Sequence, residues 1–555
     1  MLPKWLEELA RQYYAGRTVL FILHGNIHDH IWYEEKAYAP REFYAHVVFR
    51  RRDLVFFYNR ATGLTPRDEI SHKDFKSFLG ERAFPRSPIE LFPLLHLYFQ
   101  QKLKERRRIA LVIEFAEMLV PNTAAYAASA EEKTTLLYLL QWAQSPLFIQ
   151  SDVTILLLTE SLSELHPKLV SYPHLSAIQI PYPNAEERLA FIQREVAARP
   201  ILQEKIEGLS AKALSIATGG LTLVQIEKLL AEIVESPTPW KEGQVIERKK
   251  QLVEAHAGGL LEFMSTHLTL EAVAGHHAAK AYLRSIAQAL KAGHHSVIPM
   301  GFLITGPVGT GKTFLLRCFA GEIGVPMVQI KNFRSKWVGE TEANLERILS
   351  LLEALAPIAV VIDEADTQLG GRDREGDSGV NARVFGRLAS FMSDPRHRGR
   401  ILWFLITARP DLLPVDLKRQ GRAEEHIPLF PPLSAEEKRE VFEALARRLG
   451  MGRLRIPANS SFWTEFPSLS GAEIEAILTR ARFIAVTQGR EEASWEDVEA
   501  ALNDFLPPSY PEEVAYMTYV AILECTRRSL LPPKYQSLSR EELFLRLEKL
   551  RAHMR

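Results

Sequence analysis

The stretch GFLITGPVGTGKTFLLRCFA, residues 301–320, decides the fold. An apolar run, 301–305, leads into a glycine-rich turn, 306–313, and then into a helical pattern, 314–320. The turn fits G-x-x-x-x-G-K-[ST], and a strand before it and a helix after it are the context this motif requires. Gly306, Gly309 and Gly311 let the backbone curl until its N–H groups face one point, where phosphate oxygens fit. The start of the following helix adds a dipole of the favourable sign. Lys312 is placed to neutralise β- and γ-phosphates, and the Thr313 hydroxyl to ligate Mg2+. Pro307, Val308, Thr310 and Phe314 complete the turn and are expected against the nucleotide. The competing reading, a glycine-rich turn that binds nothing, leaves the lysine–threonine pair unexplained.

Asp363 follows Lys312 by 51 residues, in Val360-Val361-Ile362-Asp363-Glu364. Four apolar residues from Ala359 to Ile362 predict a central strand with Asp363 at its C-terminal end. A carboxylate there holds the Mg2+ shell, and Glu364 is placed to polarise the attacking water. Solvated acids after a strand are the bland alternative. Together with the phosphate turn, the pair argues for nucleotide hydrolysis rather than binding alone.

Moving outward, short apolar runs recur at 18–23, 54–58, 109–113, 154–158, 301–305, 359–362 and 401–406. Such near-continuous runs suit strands buried on both faces, and their alternation with helical patterns predicts parallel α/β sheets. They fall in two groups, and the halves resemble each other. LVIEFAE (111–117) matches VVIDEAD (360–366), NAEER (184–188) matches SAEEK (434–438), and LTLVQIEKLL (221–230) matches LSGAEIEAIL (469–478). The strand ending at Thr159 matches the one ending at Thr407. Offsets of 248 to 250 residues throughout imply an internal duplication. The expected fold class is therefore α/β, as two tandem P-loop NTPase-like modules, each a parallel sheet flanked by helices with a small helical lid. A helical tail follows.

The first copy lacks the chemistry. Its turn reads Leu23-His24-Gly25-Asn26-Ile27-His28-Asp29, without Gly-Lys-Thr. Glu114 stands opposite Asp363, and Phe115 opposite Glu364. A phenyl ring is no base, so this copy is predicted not to hydrolyse ATP. His24, His28, Asp29 and His30 invite a metal reading, but no second ligand cluster has zinc-like spacing, and polar residues closing a strand are the favoured account. Expected boundaries are a degenerate module over 1–235, a linker over 236–269, an α/β core over 270–432, a lid over 433–506 and the tail over 507–555.

Composition adds bounds. Of 555 residues, 46% are hydrophobic and 25% charged, which excludes a disordered chain. Lys+Arg and Asp+Glu each total 68, so the chain lacks the basic excess of a dedicated nucleic-acid coat. Two cysteines fit a reducing compartment. No apolar run approaches a spanning helix, and charges near Met1 come too early for a signal peptide, so a soluble, cytoplasmic protein is expected.

The second half resembles the AAA family of ring ATPases, in the branch that contains katanin, spastin and valosin-containing protein, over residues 270–506. LEAVAG (270–275) resembles the segment that cradles adenine there, which implies base contacts from Val273, Ala274 and Gly275. KWVGETEANLERI (336–348) resembles the central-pore loop and its helix, which implies that Trp337 and Val338 grip an extended polypeptide. RQGRAEE from Arg419 resembles the arginine-finger segment; Arg419 and Arg422 would reach the nucleotide site of the next subunit, so activity would require a homo-oligomer, by family habit a hexamer. Ser470-Gly471-Ala472-Glu473 resembles the lid-helix start, with Gly471 and Ala472 near adenine and ribose, and its spacing also fits a capping box. ATP and Mg2+ are the implied cofactors. The whole-chain plan is similar to two-module AAA proteins of cyanobacteria and plastids, which pair a degenerate module with an active one.

One departure stands out. The branch carries Asn in the sensor turn before Arg-Pro-Asp, where this chain has Ala408, leaving Thr407 as the polar residue beside the γ-phosphate. Three functions follow as expectations: an ATP-driven machine that remodels or threads a protein; a nucleic-acid motor using Arg50 to Arg52 and the run KLKERRR, 102–108; and a slow nucleotide-gated scaffold. The sequence holds no H-E-x-x-H, so degradation would need a separate partner.

Overall fold

The computed structural model describes residues 2–554 except 17, 124–126, 207, 332–337, 370–377, 453, 455–456, 458–468 and 507–509, and the side chains of 338–340 and 378–382. The chain divides into two compact units. One holds residues 1–259 with 333–355, the other 260–332 with 356–555.

The first unit is built on six strands: β1 (Leu20–Gly25), β2 (Leu54–Asn59), β3 (Gly63–Pro66), β4 (Ile109–Ile113), β5 (Val153–Thr159) and β6 (Leu175–Ile180). They order as β3-β2-β4-β5-β1-β6. All neighbours are parallel except the β2–β3 edge hairpin. Every residue of β4 and β5 is buried, as helices on both faces demand.

The second sheet contains β7 (Leu261–Phe263), β8 (Gly301–Thr305), β9 (Met327–Ile330), β10 (Ile358–Ile362), β11 (Ile401–Thr407) and β12 (Glu425–Pro428). Read from one edge the order is β7-β9-β10-β11-β8-β12. The five parallel strands match those of the first sheet position for position. His24 pairs with Thr159 as Thr305 pairs with Thr407, and Gly25 lies beside Ile180 as Thr305 lies beside Pro428, one residue earlier in register. The edge strands differ in origin. In the first sheet β3 arrives by a hairpin after β2, whereas β7 precedes its module and adds antiparallel to β9.

The lid helices begin alike. Thr222 caps Leu223–Glu235 and Ser470 caps Gly471–Thr487, each in a two-way capping box. Two departures from the expected boundaries appear. Helix Glu242–His256, read as linker, packs within the first unit, where Arg248 forks onto Glu232 at 2.6 Å. Helix Val338–Leu355 also falls in that unit: Arg347 reaches Glu160 at 3.2 Å, and Leu355 lies against Gly220. In the second unit the tail helices Pro511–Glu524 and Arg540–His553 bury Ala521, Ile522 and Leu543 against Phe430. No described helix is long and apolar enough to cross a membrane.

Candidate nucleotide site

At the end of β8 the chain turns in a way only glycine permits. Gly306 has φ 134°, and a Cβ on it would meet the Leu429 carbonyl oxygen at 2.0 Å. Gly309 (φ 77°) faces the lid, where a Cβ would lie 2.9 Å from the Ser470 hydroxyl. Gly311 (φ 80°) caps helix Lys312–Ala320. Inside the turn the Thr310 hydroxyl donates to the Pro307 carbonyl at 2.9 Å, and the Lys312 ammonium donates to the carbonyls of Gly306 and Pro307 at 2.8 and 2.7 Å. Val308 projects outward, 47% exposed.

The Thr313 hydroxyl donates to Asp363 Oδ2 at 2.8 Å. The other carboxylate oxygen accepts from the Glu364 backbone N–H at 2.9 Å, and Gln368 donates to the Asp363 carbonyl at 2.9 Å. Two hard oxygen ligands thus meet where helix and β10 converge, a donor set that suits Mg2+. Burial lowers the Lys312 pKa to about 8, against the opposing pull of Asp363 and Asp366. A desolvated ammonium beside an oxygen cluster is poised to gain from an incoming polyphosphate.

A cavity of about 890 Å3 opens beside the turn. Three segments far apart in sequence line it: Val273, Ala274 and Gly275; then Gly309, Thr310, Gly311 and Phe314; then Gly471 and Ala472. The residues assigned to base and sugar therefore share one wall with the glycine-rich turn. Gly306, Pro307, Val308, Lys312, Thr313 and Thr407 lie outside that lining. Sequence reasoning missed other members. Arg448 stacks over the Phe314 ring at 5.1 Å and pairs with Glu475 at 2.6 Å. Leu530, Leu531 and Pro532 of the tail form a further wall. Long-range contacts of this kind leave no local signal.

Around the sensor turn, Thr407 donates its hydroxyl hydrogen to Asp366 at 2.6 Å and accepts from the Arg409 N–H at 2.8 Å. That commitment takes away the free hydroxyl expected there. Arg409 forks onto Asp411, which also accepts from the Tyr516 hydroxyl at 3.0 Å, so the tail braces this turn. The two finger candidates differ sharply. The Arg419 side chain is 59% exposed, whereas that of Arg422 is buried and donates to the Asp416 carbonyl at 2.7 Å. Trp337 lies outside the described residues. Val338 opens helix Val338–Leu355, and its side chain lies outside them too.

In the first unit the corresponding place is filled by the chain itself. Buried Asp29 accepts from the N–H groups of Leu223 and Val224 at 2.9 and 3.0 Å, from Asn26 at 3.0 Å and from the His30 N–H at 2.8 Å. Its partner in the second unit is backbone: the Gly309 carbonyl faces the Ala472 N–H at 3.4 Å. Glu114 is held by Asn59 at 2.8 Å, and Phe115 stacks on His28 with centroids 5.4 Å apart. Among the described residues, no three His, Cys, Asp or Glu side chains group as metal ligands.

The comparisons with known proteins agree with this geometry. Residues 302–430 match the family described as ATPase family associated with various cellular activities (AAA). Residues 1–181 match the AAA+ chaperone N-terminal Rossmann-like domain, and 186–258 the AAA+ chaperone second helical domain. The second module carries an AAA-family domain. Among similar AAA proteins, one named uncharacterized AAA domain-containing protein ycf46, from Trieres chinensis, is 28% identical over 53% of this chain and 60% of its own length. Another of that name, from Gracilaria tenuistipitata var. liui, is 27% identical over 63% of this chain and 72% of its own length. A cell division cycle protein 48 homolog from Archaeoglobus fulgidus is 31% identical over 34% of this chain and 26% of its own length.

Proposed function

We propose that the second module binds ATP with Mg2+ and hydrolyses it, and that a ring of copies turns this cycle into remodelling of a protein substrate in the cytoplasm. The observation that carries the reading is the 2.8 Å contact of Thr313 with Asp363 beside Lys312. It brings two motifs 50 residues apart to one point, which supports a shared metal site. Bound Mg2+ would screen charge on the phosphates. Thr313 and Asp363 would hold it, Lys312 would neutralise phosphate oxygens, and Glu364 would take the proton of the attacking water. Exposed Arg419 is the finger able to reach another subunit, while Arg422 shapes the segment that carries it. Trp337 and Val338 are assigned to the substrate-gripping loop. The name AAA+ chaperone on two matching families supports a protein substrate.

The basic clusters do not favour a nucleic-acid partner. Arg52 pairs with Asp152, Lys102 with Asp74 and Glu105, and Arg108 with Asp53, so three of those eight charges are neutralised within the fold. A slow nucleotide switch is the second reading, favoured by Ala408 and by the committed Thr407 hydroxyl. Turnover decides. Wild-type protein should hydrolyse ATP at least 100-fold faster than Glu364→Gln, the low end for a general base. Equal rates would leave the switch reading, and failure to retain labelled ATP with Mg2+ would remove both.

A further inference from the structure

His276 follows the predicted base-binding segment, and its backbone is unusual. Gly275 (φ 66°) and His276 (φ 49°) are consecutive left-handed residues. For a non-glycine residue this conformation is strained, so the surrounding structure must hold it. The double turn folds the imidazole back against the phosphate loop, where Nε2 lies 3.0 Å from the Thr310 carbonyl oxygen. A carbonyl accepts only, so Nε2 carries the hydrogen. The ring also lines the cavity. The neighbours are fixed from the lid side, since Glu440 accepts from the Gly275 N–H at 3.0 Å and from His277 Nε2 at 2.9 Å.

We infer that His276 is a positioning residue for the nucleotide: by holding the Thr310 carbonyl it orients the peptide that presents the Gly311 N–H to phosphate. The Thr310–Gly311 bond is trans. In a planar trans peptide the C=O and N–H point in opposite directions, so a carbonyl drawn toward His276 drives the Gly311 N–H away from it. Gly311 is the first residue of the helix cap behind the loop, and its donor is one of those a phosphate oxygen uses. Burial keeps the imidazole below its ordinary pKa, so the ring is neutral near pH 7 and puts no positive charge beside the loop. Lys280, whose ammonium donates to the Val273 carbonyl at 2.5 Å, tightens the same segment.

This inference rests on the reading of the cavity as a nucleotide site, and the experiment separates the two. ADP binding with Mg2+ is measured by calorimetry on the full chain for wild type, His276→Leu and His276→Gln, alongside ATPase kinetics. Gln places its amide N–H near the position of imidazole Nε2, whereas Leu fills space without a donor. Loss of one such hydrogen bond is expected to weaken ADP binding and raise the KM for ATP about fivefold to tenfold in His276→Leu. kcat should stay within about twofold, and His276→Gln should recover most of the affinity. ADP binding unchanged in His276→Leu, equal damage in both variants, or a loss confined to kcat would overturn the inference while leaving the nucleotide site standing. A wild-type protein that binds no ADP would overturn both.

Discussion

Glu364 and Phe115 occupy the same left-handed backbone position, at φ 47° and φ 57°, each directly after the acid that closes the equivalent strand. The first module shares the backbone that presents the proposed catalytic carboxylate of the second and carries a phenyl ring in its place. A non-glycine residue there costs roughly 1 kcal/mol or more. Phe115 is 44% exposed, so its loss forfeits little burial beyond the His28 stack. Phe115→Gly is therefore expected to leave the thermal midpoint of the full chain unchanged or raised. A loss above about 2 kcal/mol would show that the ring is held for packing.

In the second module the same position carries the proposed general base. Glu364→Gln should retain labelled ATP through gel filtration while single-turnover hydrolysis falls at least about 100-fold. Loss of ATP retention in this variant would mean that Glu364 shapes the pocket rather than the reaction.

Lys312 sets a pH dependence. Burial puts its pKa at about 8 in the free protein, so near pH 8 about half the molecules have lost that charge. A bound triphosphate favours the charged form and raises the pKa. Binding must then take up protons near pH 8, and affinity must fall as pH rises above about 8. Calorimetry in two buffers of different ionisation enthalpy at pH 8 reads the uptake directly. Identical enthalpies in the two buffers would contradict it.

Arg419 and Arg422 should separate activity from stability. Arg419 makes only a loose pair with Asp416 at 3.8 Å, so Arg419→Ala should leave the unfolding midpoint alone and cut turnover by about 1,000-fold if it completes a neighbour's site. Arg422→Ala removes a buried donor from the Asp416 carbonyl and should cost about 1–3 kcal/mol of stability. The reverse pattern would exchange their roles.

Asp29 offers a test in the first module. Asp29→Ala strips acceptors from the Leu223 and Val224 amides and from Asn26, at an expected cost of about 2–4 kcal/mol. Hydrogen exchange at those two amides should accelerate while the β8 amides stay protected. Unchanged exchange at both would mean that the Thr222 capping box alone holds the helix start.

Much of this was legible in the sequence. Seven of the ten parallel strands were, because burial on both faces forces near-continuous apolar runs such as 154–158 and 401–406, whereas β6, β9 and β12 were not read. The duplication was, because matching registers require matching spacings. The edge strands were not: β7 is three residues long and carries no period of its own, and only pairing with β9 defines it. Arg422 was read by resemblance as a finger reaching the next subunit, and its burial against a carbonyl six residues away leaves no local sequence signal. Asp29 looked like a strand-closing polar residue, since its partners lie 194 and 195 residues further on. His276 escaped for a similar reason, its partner being 34 residues downstream.

Gly25 shows what survives when such a pocket falls silent. It stands where Gly306 stands, with φ 96°, and a Cβ there would meet the Ile180 carbonyl oxygen at 2.7 Å, as one on Gly306 would meet Leu429. In this module sheet geometry demands the glycine, so it stands without the lysine and threonine that the proposed phosphate chemistry requires in the second. Vestigial copies of this architecture should be sought by a glycine closing the central strand, in chains where every reactive side chain has already drifted away.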